Sequence, residues 1–288
     1  MALPFWFHEP AAPGHFLGWK VNKMLYSGRS RFQQIEFVET EEFGTALVLD
    51  GVMQTTAGDE YIYHEMLAGV PLSAHPNPQR VLILGGGDCG LASTVLQDSR
   101  VQELKMVEID EEVVSLSCTY LPRHTRSLQD PRMSITYQDG AQFLSNSRPE
   151  VYDLILVDST DPDTTAGQWL YTSEFHASVL RALKPGGAYV QHSGTPFYDP
   201  DVVRRVSHDV AERFPTCQVY WTTIPTYPGG LFTFTAGSKG LDLSVPRTRL
   251  SWPTRWYNED LHRAAFALPE SLKALLPASV VSSSASPS

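Results

Sequence analysis

The run Val81-Leu-Ile-Leu-Gly85-Gly-Gly-Asp88-Cys-Gly90 constrains this chain most, because a short apolar strand runs into a glycine-rich turn and then into helical spacing. Glycines there let the backbone turn tightly and approach a ligand closely at the carboxyl end of a sheet. Downstream, apolar strands over Arg80–Leu84, Glu103–Ile109, Met133–Tyr137, Tyr152–Val157 and Gly187–Gln191 alternate with helical patterns over Leu91–Gln97, Glu111–Tyr120 and Ser173–Leu183. Such alternation implies a parallel sheet covered by helices. Gln218–Ile224 and Leu231–Ala236, around Pro225-Thr-Tyr-Pro-Gly-Gly230, read as two further strands forming an antiparallel edge.

The preceding region has another texture. Short alternating runs, Gln34–Val38 and Ala46–Asp50, are punctuated by Gly44 and Gly51 and read as antiparallel strands, followed by a helix over Tyr61–Gly69. The two prolines of His75-Pro-Asn-Pro-Gln-Arg80 mark a boundary. The expected organisation is an N-terminal β-domain over 1–75, a Rossmann-like α/β domain over 76–277, and a mobile tail over 278–288 rich in Ser, Ala, Val and Pro.

Each of the three parallel strands after the glycine turn ends near a carboxylate: Glu108, Asp139 and Asp158. Ligands of open α/β sheets sit beyond the carboxyl ends of the strands, so these acids should converge on one crevice. A single strand-end aspartate often caps a helix or turn; three in succession favour a shared ligand. Glu108 follows the glycine turn at the spacing that suits acceptance from two ribose hydroxyls, and Asp139 is placed for an adenine amino group. This arrangement looks like the class I fold of S-adenosylmethionine-dependent transferases.

Asp88 and the pair Asp158 and Asp161 narrow the chemistry. Asp88 would face the amino acid arm of the nucleoside ligand and repel the carboxylate of ordinary S-adenosylmethionine. In the decarboxylated compound that arm carries only an ammonium, which Asp88 can pair with. An alkylamine near pKa ~10.4 is held from its nucleophilic form at pH 7 by roughly 4 to 5 kcal/mol, so an adjacent carboxylate that takes the proton is needed. Either Asp158 or Asp161 fits that role.

At 288 residues, with 42% hydrophobic and 19% charged residues, the chain has the composition of a globular protein with one large or two unequal domains. Apolar runs are far shorter than the ~20 residues of a membrane span, and the N-terminus lacks a signal-peptide pattern, so a cytoplasmic location and no membrane partner are expected. The net charge of −10 argues against nucleic acid and would concentrate cationic ligands. Cys89, Cys118 and Cys217 are odd in number and lack any CxxC, which suggests neither disulfides nor a zinc site.

Leu47-Val-Leu-Asp-Gly-Val-Met-Gln-Thr-Thr56 and Asp59-Glu-Tyr-Ile-Tyr-His-Glu-Met66 resemble the signature of the spermidine synthase family, the polyamine aminopropyltransferases. The likeness continues through Gly85-Gly-Gly-Asp88, Val107-Glu-Ile-Asp110, Asp158-Ser-Thr-Asp-Pro162, Ile224-Pro-Thr-Tyr-Pro228 and Ala265-Phe-Ala-Leu-Pro269, nearly the whole chain. It implies transfer of an aminopropyl group from decarboxylated S-adenosylmethionine, a co-substrate, to putrescine, with no cofactor and no metal, in a homodimer or homotetramer. By motif position, Gln33, Gly85, Gly86, Gly87, Glu108, Asp139 and Gly140 resemble the nucleoside contacts. Tyr63, His64, Asp88, Asp158, Asp161 and Tyr227 resemble the groups around the amines.

Two departures stand out. Cys89 occupies a position where the family usually has glycine, which costs stability if that residue needs positive φ. After Asp161-Pro162 the chain reads Asp163-Thr-Thr-Ala-Gly-Gln-Trp-Leu170 where the family has a hydrophobic residue and Gly-Pro, in the segment that resembles its gate. The acceptor therefore stays open among putrescine, cadaverine, agmatine and spermidine. A weakly active polyamine- or nucleoside-binding relative is disfavoured by the intact acidic pair, and a methyltransferase by Asp88.

Overall fold

The computed structural model describes residues 5–160 and 167–283. Five strands, β1 (Phe5–Ala12), β2 (His15–Arg29), β3 (Gln34–Thr40), β4 (Gly44–Leu49) and β5 (Val52–Thr56), form an antiparallel sheet in sequence order. Alternation puts Val38, Ala46 and Val48 on one face, while Ile35, Phe37, Leu47 and Leu49 pack the other against Val113 and Leu121 of the following domain. Helix α1 (Glu60–Ala74) follows.

The second sheet contains β6 (Arg80–Gly85), β7 (Glu103–Glu108), β8 (Met133–Tyr137), β9 (Tyr152–Asp158), β10 (Leu183–Gly194), β11 (Thr216–Thr223) and β12 (Leu231–Ser238), in the order β11-β12-β10-β9-β6-β7-β8. The five strands from β6 to β10 run parallel, and β12 and β11 close one side antiparallel. Both faces are covered, so the central strands are apolar throughout: Val81 and Ile83 enter one core, Leu82 and Leu84 the other. Helices α2 (Gly90–Val95), α3 (Glu111–Tyr120), α4 (Gly140–Ser145), α5 (Ser173–Ala182) and α6 (Pro200–Arg213) connect the strands; α7 (Glu259–Ala265), α8 (Glu270–Lys273) and α9 (Ala278–Ser283) finish the chain. Among the described residues no helix is long and apolar enough to cross a membrane.

Two boundaries differ from expectation. Met66, Leu67 and Val70 of α1 sit in the same core as Val81 and Ile83, so α1 belongs with the second sheet and the division falls just after β5, not at 75. The prolines after α1 end a helix without separating domains. The segment from Ala278, expected to be a mobile tail, begins as α9, whose Val280 is 2% exposed beside Leu272 and Leu276. Apolar residues among the serines supply the anchor that composition alone concealed.

Glu65, inside the signature on α1, is a structural device. Its carboxylate accepts from the backbone N–H groups of Arg255 (2.9 Å), Trp256 (2.8 Å) and Tyr257 (2.9 Å), pinning the C-terminal segment to α1. Glu65→Ala strands three donors, each costing about 1–3 kcal/mol if left buried and unpaired. We expect a stability loss of about 3 kcal/mol or more in denaturant unfolding; a loss below about 1 kcal/mol would show that water replaces the carboxylate.

Candidate active site

The sheet changes winding direction at β6, which pairs with β7 on one side and β9 on the other. At this switch point Gly85 lies opposite Asp158, and the Gly86 N–H donates to the Asp158 backbone oxygen at 2.7 Å. Gly85, at φ +84°, has no room for a side chain, since an added Cβ would overlap that same oxygen. Close approach of the two loops, more than the turn alone, explains this glycine.

A cavity above the switch point is lined by Gln33, Tyr63, His64, Gly85, Gly86, Gly87, Asp88, Glu108, Asp139, Gly140, Asp158 and Tyr227, all residues anticipated from sequence. Asp161 lies outside the described residues, as does the start of the departing loop at Asp163.

The nucleoside side is built first by β7. Glu108 is 8% exposed and its Oε1 accepts the Asp110 N–H at 2.9 Å. Burial pushes its carboxyl up to about 7 against the pull of that bond. Gln33 reaches in from the N-terminal sheet, its Nε2 donating to Asp110 at 2.9 Å, so one aspartate both caps α3 and orients the amide. Asp139 does what a strand-end aspartate commonly does, capping α4 by accepting the Gln142 N–H at 2.8 Å, while remaining at the cavity wall.

The other half is acidic. Asp88 is 7% exposed; Oδ1 accepts the Gly90 N–H at 3.0 Å, and Oδ2 lies 3.7 Å from His64 Nε2. Burial opposes its ionisation, yet His64, His124 and the Gly90 N–H outweigh burial and hold the carboxyl below the usual range. His64 Nδ1 pairs with Glu60 at 2.6 Å, one helical turn back on α1. Burial disfavours its imidazolium, but Asp88, Glu60 and Asp158 prevail and raise it to about 9. Asp158 is raised to about 6, chiefly by burial and also by Asp88, while His64, His192 and a hydrogen bond from Tyr63 act in the opposite sense. His64, Asp88 and Asp158 place three ligand atoms within 4.8 Å of one another, a set able to take up a cation.

Aromatic rings complete the wall. Tyr63 lies 6.0 Å from Tyr227 and 6.1 Å from Phe232, ring centre to ring centre. The Tyr227 hydroxyl donates to the Gln54 backbone oxygen at 2.7 Å, and Asp59 holds the same loop through Thr226. Cys89 adopts φ +65°, the left-handed conformation that glycine takes without strain, so the departure does carry a backbone cost. Its thiol is fully buried and is pushed up, first by burial and then by Asp88, the surroundings of an unreactive thiol.

Among the polar residues at or beside the site that escaped the sequence reading are Glu9, Glu60, His192 and Asp199 at the cavity wall and His124 behind it. Glu60 and His64 at i,i+4 on one helix were a legible signal. Glu9, from β1, and His192, whose Nε2 donates to the Ser159 oxygen at 2.7 Å, reach the cavity only through tertiary packing.

Residues 60–246 match the "Spermine/spermidine synthase domain" profile and residues 5–57 the "Spermidine synthase tetramerisation domain" profile. The chain is 41% identical over 269 residues to a polyamine aminopropyltransferase of Caldicellulosiruptor saccharolyticus, covering 93% of this chain and 96% of the relative. It is 41% identical over 273 residues to that of Bacillus subtilis, covering 94% and 98%. A crystal structure of spermidine synthase in complex with the transition state analogue AdoDATO superimposes with a TM-score of 0.91 at 35% identity over 94% of each chain. Spermidine synthase from Thermotoga maritima gives 0.89 at 35% identity, again over 94% of each.

Proposed function

Because the chain belongs to the spermine/spermidine synthase family, matching it along nearly the whole length, we propose that this aminopropyltransferase uses decarboxylated S-adenosylmethionine as donor and putrescine as acceptor. The observation that carries the reading is the placement of His64, Asp88 and Asp158 around the glycine loop, with ligand atoms within 4.8 Å. One cavity thus offers a carboxylate to the donor's ammonium and a second to the attacking amine.

Glu108 accepts from the ribose hydroxyls, Gln33 and Asp139 flank the base, and Gly85, Gly86, Gly87 and Gly140 allow close approach. Asp88 pairs with the ammonium of the aminopropyl arm. Tyr63 and Tyr227 wall the acceptor channel and hold the amine in line with the carbon beside sulfur. The amine's lone pair forms the new carbon–nitrogen bond as the carbon–sulfur bond breaks, its electrons neutralising the sulfonium to give methylthioadenosine. The proton lost from nitrogen passes to Asp158, whose elevated affinity brings it closer to the working pH. By family resemblance Asp161 assists at the amine. The protein works as a homo-oligomer, with Trp6 (62% exposed) and Phe16 (56% exposed) of the first hairpin offering an apolar contact.

Incubation with decarboxylated or ordinary S-adenosylmethionine and a panel of amines, with products identified by mass, tests this. Spermidine and methylthioadenosine are expected from the decarboxylated donor with putrescine. No aminopropylated product from any amine would overturn the reading; preference for cadaverine, agmatine or spermidine would correct the acceptor alone.

A further inference from the structure

His124 opens a 3-10 turn (His124–Gln129) between α3 and β8, 6% exposed, and does not line the cavity. Its Nδ1 lies 3.3 Å from Asp88 Oδ2, and its Nε2 lies 3.8 Å from Glu60 Oε1. The ring stands perpendicular to that of His64, with centres 6.0 Å apart. Asp88 Oδ2 and His124 Nδ1 are both buried, and neither has an aligned hydrogen-bond partner among the described residues. Burying an imidazole without such partners is unfavourable, and an apolar residue of similar size would serve the fold as well or better.

Asp88 Oδ2 is thus bracketed by two imidazoles. His64, at 3.7 Å, faces the cavity, and His124, closer at 3.3 Å, pulls from outside it. Without the second pull, the carboxylate would close onto His64 Nε2 in a direct ion pair, and Oδ2 would be engaged by that imidazole instead of by the ligand's ammonium. The geometry points to His124 as a positioning residue for donor recognition: it holds Asp88 off His64, so that Oδ2 stays available to the ammonium of the donor's aminopropyl arm. This inference rests on the aminopropyltransfer reading above.

Calorimetric titration of wild type, His124→Leu and His124→Asn with decarboxylated S-adenosylmethionine and with methylthioadenosine tests it. Methylthioadenosine lacks the ammonium, so it reports the nucleoside site alone. His124→Leu should weaken the donor by about tenfold, the size of one hydrogen bond to a charged group, and leave methylthioadenosine within about twofold. Its denaturation midpoint should be equal to or above wild type, opposite to what a purely structural role predicts. His124→Asn, which keeps an N–H near the Nδ1 position, should retain donor affinity within about threefold. Equal weakening of both ligands, unchanged donor affinity in the leucine variant, or a tenfold loss in the asparagine variant would each overturn the proposal. Failure of the underlying reading looks different: wild type itself would yield no aminopropylated product.

Discussion

Asp158→Asn is expected to lower kcat by about 10²- to 10⁴-fold, the usual contribution of a positioned general base, while changing the donor KM only a few-fold. Asparagine is nearly isosteric and can still accept from Tyr63, and the Gly86 contact uses the Asp158 backbone, so the loop geometry is kept. What disappears is the capacity to receive the amine's proton. The wild-type rate should rise with pH through about 6 as Asp158 ionises, and the variant should lose that limb. Stability moves the other way. A carboxyl raised in the folded state contributes stability that is fully present below its unfolded pKa and lost as pH climbs to about 6. At pH 7 the neutral asparagine should therefore raise Tm, a trade of stability for activity common at such sites. Rate profiles and thermal melts of the two proteins check both claims; full kcat at pH 7 in the variant would remove the proton from Asp158.

Asp88→Asn should raise the donor KM by about 10- to 100-fold, the loss of one charge-assisted hydrogen bond to an ammonium. Methylthioadenosine affinity should remain within a few-fold, because the asparagine oxygen can still accept the Gly90 N–H that Asp88 Oδ1 accepts now. Discrimination against ordinary S-adenosylmethionine should fall as well, since the repulsion of its carboxylate goes with the charge. Inhibition by methylthioadenosine, donor kinetics and a competition between the two sulfonium compounds read these effects separately. If methylthioadenosine binding fell as far as donor binding, Asp88 would be acting through the loop's shape.

Local chemistry announced much of this site. Gly85 to Gly87 follow an apolar strand, and Glu108, Asp139 and Asp158 close three more, so period and termination alone located the crevice. Even the ordinary reading of Asp139 as a helix cap was available, and the structure gives that residue the cap and the cavity wall together. The misjudged parts share a cause. Helix α1 was grouped by neighbouring prolines and α9 by neighbouring serines, whereas apolar residues of α1 share a core with residues as distant as Tyr220 and Phe234, and Val280 of α9 joins the core of Leu272 and Leu276.

The sequence by itself determined that Gly85, Glu108, Asp139 and Asp158 stand at the carboxyl ends of strands, because that depends on alternation, glycine and charge within a few residues. Only the tertiary structure decided their electrostatics. Pairing of β6 with β9 sets Gly85 against Asp158, and the 3-10 turn brings His124 to Asp88 across 36 positions of chain. Burial and then the Asp88 charge raise Asp158 to about 6, while His64, His124 and the Gly90 N–H overcome burial and hold Asp88 below the usual carboxylate range. Two aspartates with the same chemistry in the sequence acquire different proton affinities because desolvation and the distance to each imidazole exist only once the sheet is wound.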